Sequence, residues 1–330
     1  MTEIAKKKEE KLPAVFEARL PPLIDDAGAD LQERFLEFFA AQIRNKNTRA
    51  AYGRAVGQFL NWADRQGLTL RSISPIAVSA YVEQHEGAPA TVKQHLAAIR
   101  QLFDWLQTGG VLDANPAEPV KGPKHVVDEG STPILTADEA REFIEGLPTD
   151  TIKDKRDKAI IGVLTYTFAR VSAIVRMKRG DYYRAGRRWK VRLREKGGKQ
   201  RDVPLHHKAK DYLDAYLEAP GEDSGDIPPA EKQKLPLFRT MTRTKDLSER
   251  PISRTSVLRM VKRRAEEAGL DPDRVCCHTF RGTGITAYLE NGGKLEVAQH
   301  IAGHSDASTT KLYDRRKELV SKEEVEKIGI

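Results

Sequence analysis

Arg188-Trp189-Lys190-Val191-Arg192-Leu193-Arg194-Glu195-Lys196-Gly197-Gly198-Lys199-Gln200-Arg201-Asp202-Val203-Pro204-Leu205 breaks the helical rhythm of the chain on either side of it. Trp189, Val191 and Leu193 alternate with Lys190, Arg192 and Arg194, the pattern of a half-buried strand with a cationic open face. Gly197-Gly198 supplies a turn, and Val203 and Leu205 resume the apolar face beyond it. A β-hairpin is expected, with Lys196 at its mouth. Elsewhere the apolar residues mostly recur every three or four positions. The fold class expected is therefore mainly α: a helical N-terminal domain, then an α+β domain that is mostly helical with a small antiparallel sheet.

Working outward, Leu31, Phe35 and Phe38 make one apolar stripe, and Tyr52, Val56, Phe59, Leu60 and Ala63 a second. Ser74-Pro75 predicts a helix start, a capping hydroxyl followed by proline in the first turn, with Val78, Tyr81 and Val82 on one face. Val92, Leu96, Ile99, Leu102, Phe103 and Leu106 predict another helix, ending at Gly109-Gly110. Residues 29–114 thus read as a domain of four or five helices. Residues 1–28, mixed in charge and bearing Pro13, Pro21 and Pro22, read as a flexible extension. Pro116, Pro119, Gly122, Pro123 and Gly130 make 115–132 a linker. A second domain, 133–318, opens with the capping-box spacing Thr136-Ala137-Asp138-Glu139, which predicts a helix over 137–146; another is expected over 155–168. Residues 218–235 read as a loop-like insertion, and 319–330, with Val320, Val325 and Ile328 among charges, as a short amphipathic tail.

At 330 residues the chain exceeds the usual span of one hydrophobic core, which again favours two domains. With 32% charged and 39% hydrophobic residues, it has no apolar run long enough to span a bilayer, and its lysine- and glutamate-bearing N-terminus is no secretory signal. A cytoplasmic location is expected. Cys276 and Cys277 are adjacent and so unfit for a structural disulfide. His300 and His304 stand four apart without a third ligand at useful spacing, which argues against a metal site. The net charge of +8 is unevenly spread. Arg170 to Arg201 holds thirteen basic residues against Asp181 and Glu195, a concentration that favours a polyanionic partner over a uniformly solvated surface.

The second domain carries four short motifs in order: Ala169-Arg170-Val171-Ser172, His278-Thr279-Phe280-Arg281, Gly303-His304-Ser305 and Tyr313. His278 and Arg281 share a face if helical, and Tyr313 lies nine residues beyond His304. A tyrosine hydroxyl titrates near pH ~10. At neutral pH it attacks usefully only where neighbours accept its proton and stabilise the extra charge on the attacked centre. Histidines and arginines supply both services, so the set suits attack on a phosphodiester. Taken singly, each residue has a plainer reading: a surface phosphate contact for the arginine, a backbone-satisfied histidine, a tyrosine packed beside Leu312.

Together, and in this order, the four motifs resemble the tyrosine recombinase (phage integrase) family, in its simple two-domain type, over residues 30–318. The resemblance implies that 29–114 is that family's SAM-like core-binding domain and 133–318 its catalytic domain. Arg170 and Arg281 would clamp the nonbridging oxygens of the scissile phosphate, and Tyr313 would attack phosphorus to leave a 3′-phosphotyrosyl link and a free 5′-hydroxyl. His278 would accept or relay the tyrosine proton, and His304 would donate a hydrogen bond to a phosphate oxygen. Lys196 would protonate the departing 5′-oxygen, with Lys199 the alternative. Lys199, Arg192, Arg194 and Arg201 would contact DNA phosphates. Such chemistry needs no metal and no ATP, and the chain has no GxxxxGK[ST] loop. The implied partners are double-stranded DNA, held in a C-shaped clamp, and three further copies forming a tetramer on paired sites, with tail 319–330 docked on a neighbour. One departure stands out: the family usually has an acid three residues after its first arginine, where this chain has Ala173. Site-specific recombination is the expected function. A non-catalytic DNA-binding relative, and a type IB topoisomerase-like or hairpin-forming enzyme, are the alternatives.

Overall fold

The computed structural model describes residues 13, 16, 19–124, 133–195, 198–220 and 228–315. The expectations for Lys196, for 125–132 and for the tail 319–330 fall outside these residues. The described residues up to Lys124 form one compact unit, and those from Pro133 onward a second.

In the first unit four longer helices, α1 (Ala29–Glu37), α2 (Lys46–Arg65), α3 (Pro75–Gln84) and α4 (Pro89–Thr108), enclose a core of Phe35, Phe39, Phe59, Leu60, Leu102 and Phe103. The apolar stripes of the sequence are the faces that meet there. Asn45 caps α2 and Ser74 caps α3 through side-chain oxygens that accept backbone N–H groups. Beyond α1 the chain widens into a π-turn, Phe38–Gln42. Buried Arg49 donates to the carbonyls of Phe39 and Ile43, at 2.6–3.0 Å, and so satisfies acceptors at that irregular turn.

Two boundaries are corrected. Phe16, expected in a flexible arm, is buried with its ring 5.2 Å from both Phe35 and Phe39, and Ile24 is fully buried. The spacing Phe16, Leu20, Ile24 carried that signal, masked by the prolines. Residues 115–124, expected in the linker, fold back on α4. Ala117 and Val120 are buried, and Arg100 donates to both of their carbonyls.

The second unit is built around α6. Its helices include α5 (Ala137–Gly146), α6 (Ile152–Tyr166), the single turn α7 (Val171–Ile174), α8 (His207–Leu217), α9 (Arg254–Glu267), α10 (Cys277–Glu290), α11 (Leu295–Ala302) and α12 (Ala307–Lys311). Ala159 to Leu164 of α6 are all buried, because α8 and α10 pack on it from different sides. The expected Thr136–Glu139 capping box starts α5. A second box, Thr151 with Asp154, starts α6 three residues before the expected 155. The helix also stops earlier than expected, at Tyr166, because Phe168 adopts a left-handed φ of 52°.

The expected hairpin is present as β2 (Arg188–Arg194) and β3 (Gln200–Pro204), antiparallel, with Val191 opposite Val203 and their side chains buried. An unexpected strand, β1 (Tyr182–Ala185), extends it to three strands in the order β1-β2-β3. A second unexpected pair, β4 (Arg239–Met241) with β5 (Leu247–Pro251), lacks alternating apolar residues, which is why its sequence hid it. The described end of the expected insertion is tied down: Arg179 and Gly180 donate to the carbonyls of Leu235 and Gln233.

Candidate active site

Arg281 projects from the first turns of α10 into the interior and is 2% exposed. It donates to the carbonyls of Phe168 and Ala302 (2.8 Å for the latter) and to Nε2 of His304 (2.5 Å). Arginine has no acceptor. Nε2 of His304 must therefore carry a lone pair, and the ring proton sits on Nδ1, 2.9 Å from Thr310 Oγ1. Burial, followed by the charges of Arg281 and Arg170, pushes His304 down to about 4, so the ring is neutral at pH 7. Burial first, and Arg170 next, also lower Arg281, to about 10, which leaves it charged. A buried cation with two carbonyls and an imidazole for partners is poorly neutralised, and it attracts an anion.

Arg170 ends the loop after α6 and caps the turn α7. Its guanidinium lies 2.7 Å from Glu195 Oε2, and Arg201 Nη2 lies 2.9 Å from Glu195 Oε1. Arg201 is 9% exposed in its side chain. Its Nε and Nη1 are buried without hydrogen-bond partners among the described residues. Gly303 makes room for it: a β-carbon there would lie 2.9 Å from Arg201 Nε, and φ of 61° already favours glycine. Three guanidinium charges against one carboxylate leave the cluster strongly positive.

Tyr313 follows α12 and is partly buried against Phe168, Ile285 and Leu289. Its ring lies nearly parallel to that of His304, 6.3 Å away. Gly282 lets the ring lie on α10: a β-carbon there would stand 3.0 Å from Tyr313 Cε1. Thr286 Oγ1 donates to the Tyr313 carbonyl at 3.1 Å, which anchors the backbone at this residue. His278 stands at the exposed start of α10; surrounding protein, then Arg281 and Arg170, lower its pKa.

The fold thus gathers Arg170, Arg201, His278, Arg281, His304 and Tyr313 around one positive centre. Arg192 and Arg194 are placed differently: Arg192 pairs with Asp202 across the hairpin, and Arg194 clasps Asp181 with both terminal nitrogens. Lys199 is exposed at the turn. Reading the sequence missed Glu195, a lone acid just after a basic strand, and Thr310, which orients His304. It also treated Arg201 as a surface contact, whereas the side chain is buried in the site. Among the described residues, no group of three or more His, Cys, Asp or Glu side chains gathers to hold a metal, and no helix is long and apolar enough to cross a membrane.

The phage integrase family model matches residues 133–319, and the phage integrase N-terminal SAM-like domain matches 33–110. The chain belongs to the phage integrase family. It is 27% identical to tyrosine recombinase XerD of Listeria monocytogenes over 290 residues, 86% of this chain and 93% of that one. To XerD of Xanthomonas axonopodis pv. citri it is 29% identical over 309 residues, 92% and 96%. Its fold is shared with the XerH site-specific recombinase bound to palindromic difH substrate (TM-score 0.67, 15% identity, 98% and 94% coverage). It is shared too with a lambda integrase dimer bound to a COC′ core site (0.63, 20%, 88% and 96%).

Proposed function

We propose that this chain is a site-specific recombinase that cuts and rejoins duplex DNA by transesterification at Tyr313. The observation that carries the reading is the meeting of Arg170, Arg281, His304 and Tyr313 around one under-neutralised positive centre. The names of the full-length relatives support it. Arg170 and Arg281 hold the nonbridging oxygens of the scissile phosphate. Tyr313 Oη bonds to phosphorus as the bond from phosphorus to the 5′-oxygen breaks, which leaves a 3′-phosphotyrosyl link. The tyrosine proton passes to His278, and Lys196, with Lys199 the alternative, protonates the departing oxygen. His304, neutral and accepting from Arg281, first holds that guanidinium in place. One phosphoester replaces another at each step, so the linkage conserves its energy without ATP or metal.

In this reading residues 29–114 bind DNA, 133–318 catalyse, and four copies assemble on paired sites in the cytoplasm with 319–330 as the subunit contact. The test is to incubate the protein with nicked duplexes cut from the DNA flanking its gene. A denaturant-resistant adduct is expected, because the nick releases the 5′ fragment and traps the intermediate. Tyr313→Phe abolishes it. An adduct that persists in Tyr313→Phe, or specific binding with no adduct from the parent chain, overturns the reading.

A further inference from the structure

Glu195 is 8% exposed and sits where β2 enters the turn, immediately before Lys196 in the chain. Its two carboxylate oxygens are divided between two arginines, Oε2 to Arg170 at 2.7 Å and Oε1 to Arg201 at 2.9 Å. Its backbone N–H closes the turn onto the Lys199 carbonyl at 2.7 Å. Burial works against the carboxylate, but bonds from Arg201 and Arg170 hold it below the ordinary range, so it is an anion at neutral pH. Meanwhile Ala173, three residues after Arg170, is fully buried and carries no acid.

An arginine with a third of its side chain open to solvent has many rotamers, and holding it in one costs entropy. A buried carboxylate with a fixed backbone removes that freedom beforehand. We propose that Glu195 is a positioning residue: its carboxylate, held by Arg201, orients Arg170 toward the phosphate and replaces the acid that Ala173 cannot provide. The inference rests on the recombinase reading above. Because the same residue closes the turn that leads to Lys196, the phosphate clamp and the hairpin share one anchor. Arg201 is the strut, since its side chain is wedged between Glu195 and Gly303.

The test measures the rate of Tyr313 adduct formation on the nicked duplex for the parent, Glu195→Gln, Arg170→Lys and the double variant, with DNA affinity and thermal midpoint recorded for each. Glu195→Gln is expected to slow the adduct about 10- to 100-fold, the usual loss when a supporting partner of a site is removed, while DNA affinity stays within about twofold. In the Arg170→Lys background the same substitution adds less than about threefold, because its effect passes through Arg170. Glu195→Asp, which keeps the charge, recovers part of the parent rate and guards against a folding artefact in Glu195→Gln. An unchanged rate in Glu195→Gln, or an equal slowing in both backgrounds, overturns the assignment. A parent chain that forms no Tyr313-dependent adduct overturns the recombinase reading, and the role of Glu195 with it.

Discussion

Gly284 lies in the middle of α10, where that helix crosses the end of α6. A β-carbon there would stand 2.1 Å from the Thr165 carbonyl oxygen and 3.0 Å from two ring carbons of Phe168. Two opposing terms decide what Gly284→Ala does. Helix propensity favours alanine by about 1 kcal/mol. Against it, carbon and oxygen approach only to about 3.3 Å even in weak hydrogen bonds, so the two helices must part by roughly 1 Å. The blocking atom belongs to the backbone and cannot rotate aside. Overpacking of this kind costs about 1–3 kcal/mol or more. Parting also strains the bond from Arg281 to the Phe168 carbonyl, and hydrogen bonds from charged donors contribute about 1.5–3 kcal/mol. The clash wins, with a net loss of about 2–4 kcal/mol. For a domain of this size that lowers the thermal midpoint by roughly 4–15 °C. Thermal unfolding followed by circular dichroism, with a urea titration to check that the slope is unchanged, measures it. A midpoint equal to or above the parent's would show that α10 and α6 are not pressed together at this point, and that propensity governs.

Two further outcomes follow from buried charge. Asp157 is fully buried and accepts from Arg156, Arg263 and Arg264 at 2.8–3.2 Å, joining α6 to α9. Asp157→Asn removes the one charge that these arginines share and is expected to destabilise by about 3–5 kcal/mol; urea unfolding within 1 kcal/mol of the parent would refute this. His304 concerns pH: its folded value of about 4 lies below the ordinary ~6.5. The unfolded chain therefore takes up protons first, and stability present above pH ~6.5 is lost as pH falls toward 4. Between pH 7 and 5 the His304 contribution falls by about 2 kcal/mol. His304→Gln should show a correspondingly flatter pH dependence of unfolding free energy, and parallel curves for parent and variant would contradict the assignment.

How much of this was legible beforehand differs by kind of residue. Val191, Val203, the stripe of α4 and the Thr136–Glu139 cap were readable because period and capping are local: each depends on a few neighbours in the chain. The short strands β4 and β5 were not, since three to five residues with no apolar alternation carry no period. Phe16 was missed because Pro21 and Pro22 interrupt its spacing with Leu20 and Ile24, and the pocket that Phe35 and Phe39 form for it lies outside that short pattern.

The sequence by itself determined the two-part, mainly helical architecture and the inventory of chemistry: two arginines, two histidines and a tyrosine in a fixed order. Those are properties of residue type and spacing. Only the tertiary structure decided how the groups are used. It made His304 an acceptor for Arg281, because two distant chain segments, one carrying Phe168 and one carrying Ala302 and His304, meet at one guanidinium. It paired Arg192 with Asp202 and Arg194 with Asp181, and it turned Arg201 inward. It also placed Glu195 between two arginines 25 and 6 residues away. Hydrogen-bond partners and charge balance depend on distances in space between residues far apart in the chain, and a one-dimensional pattern holds no record of them.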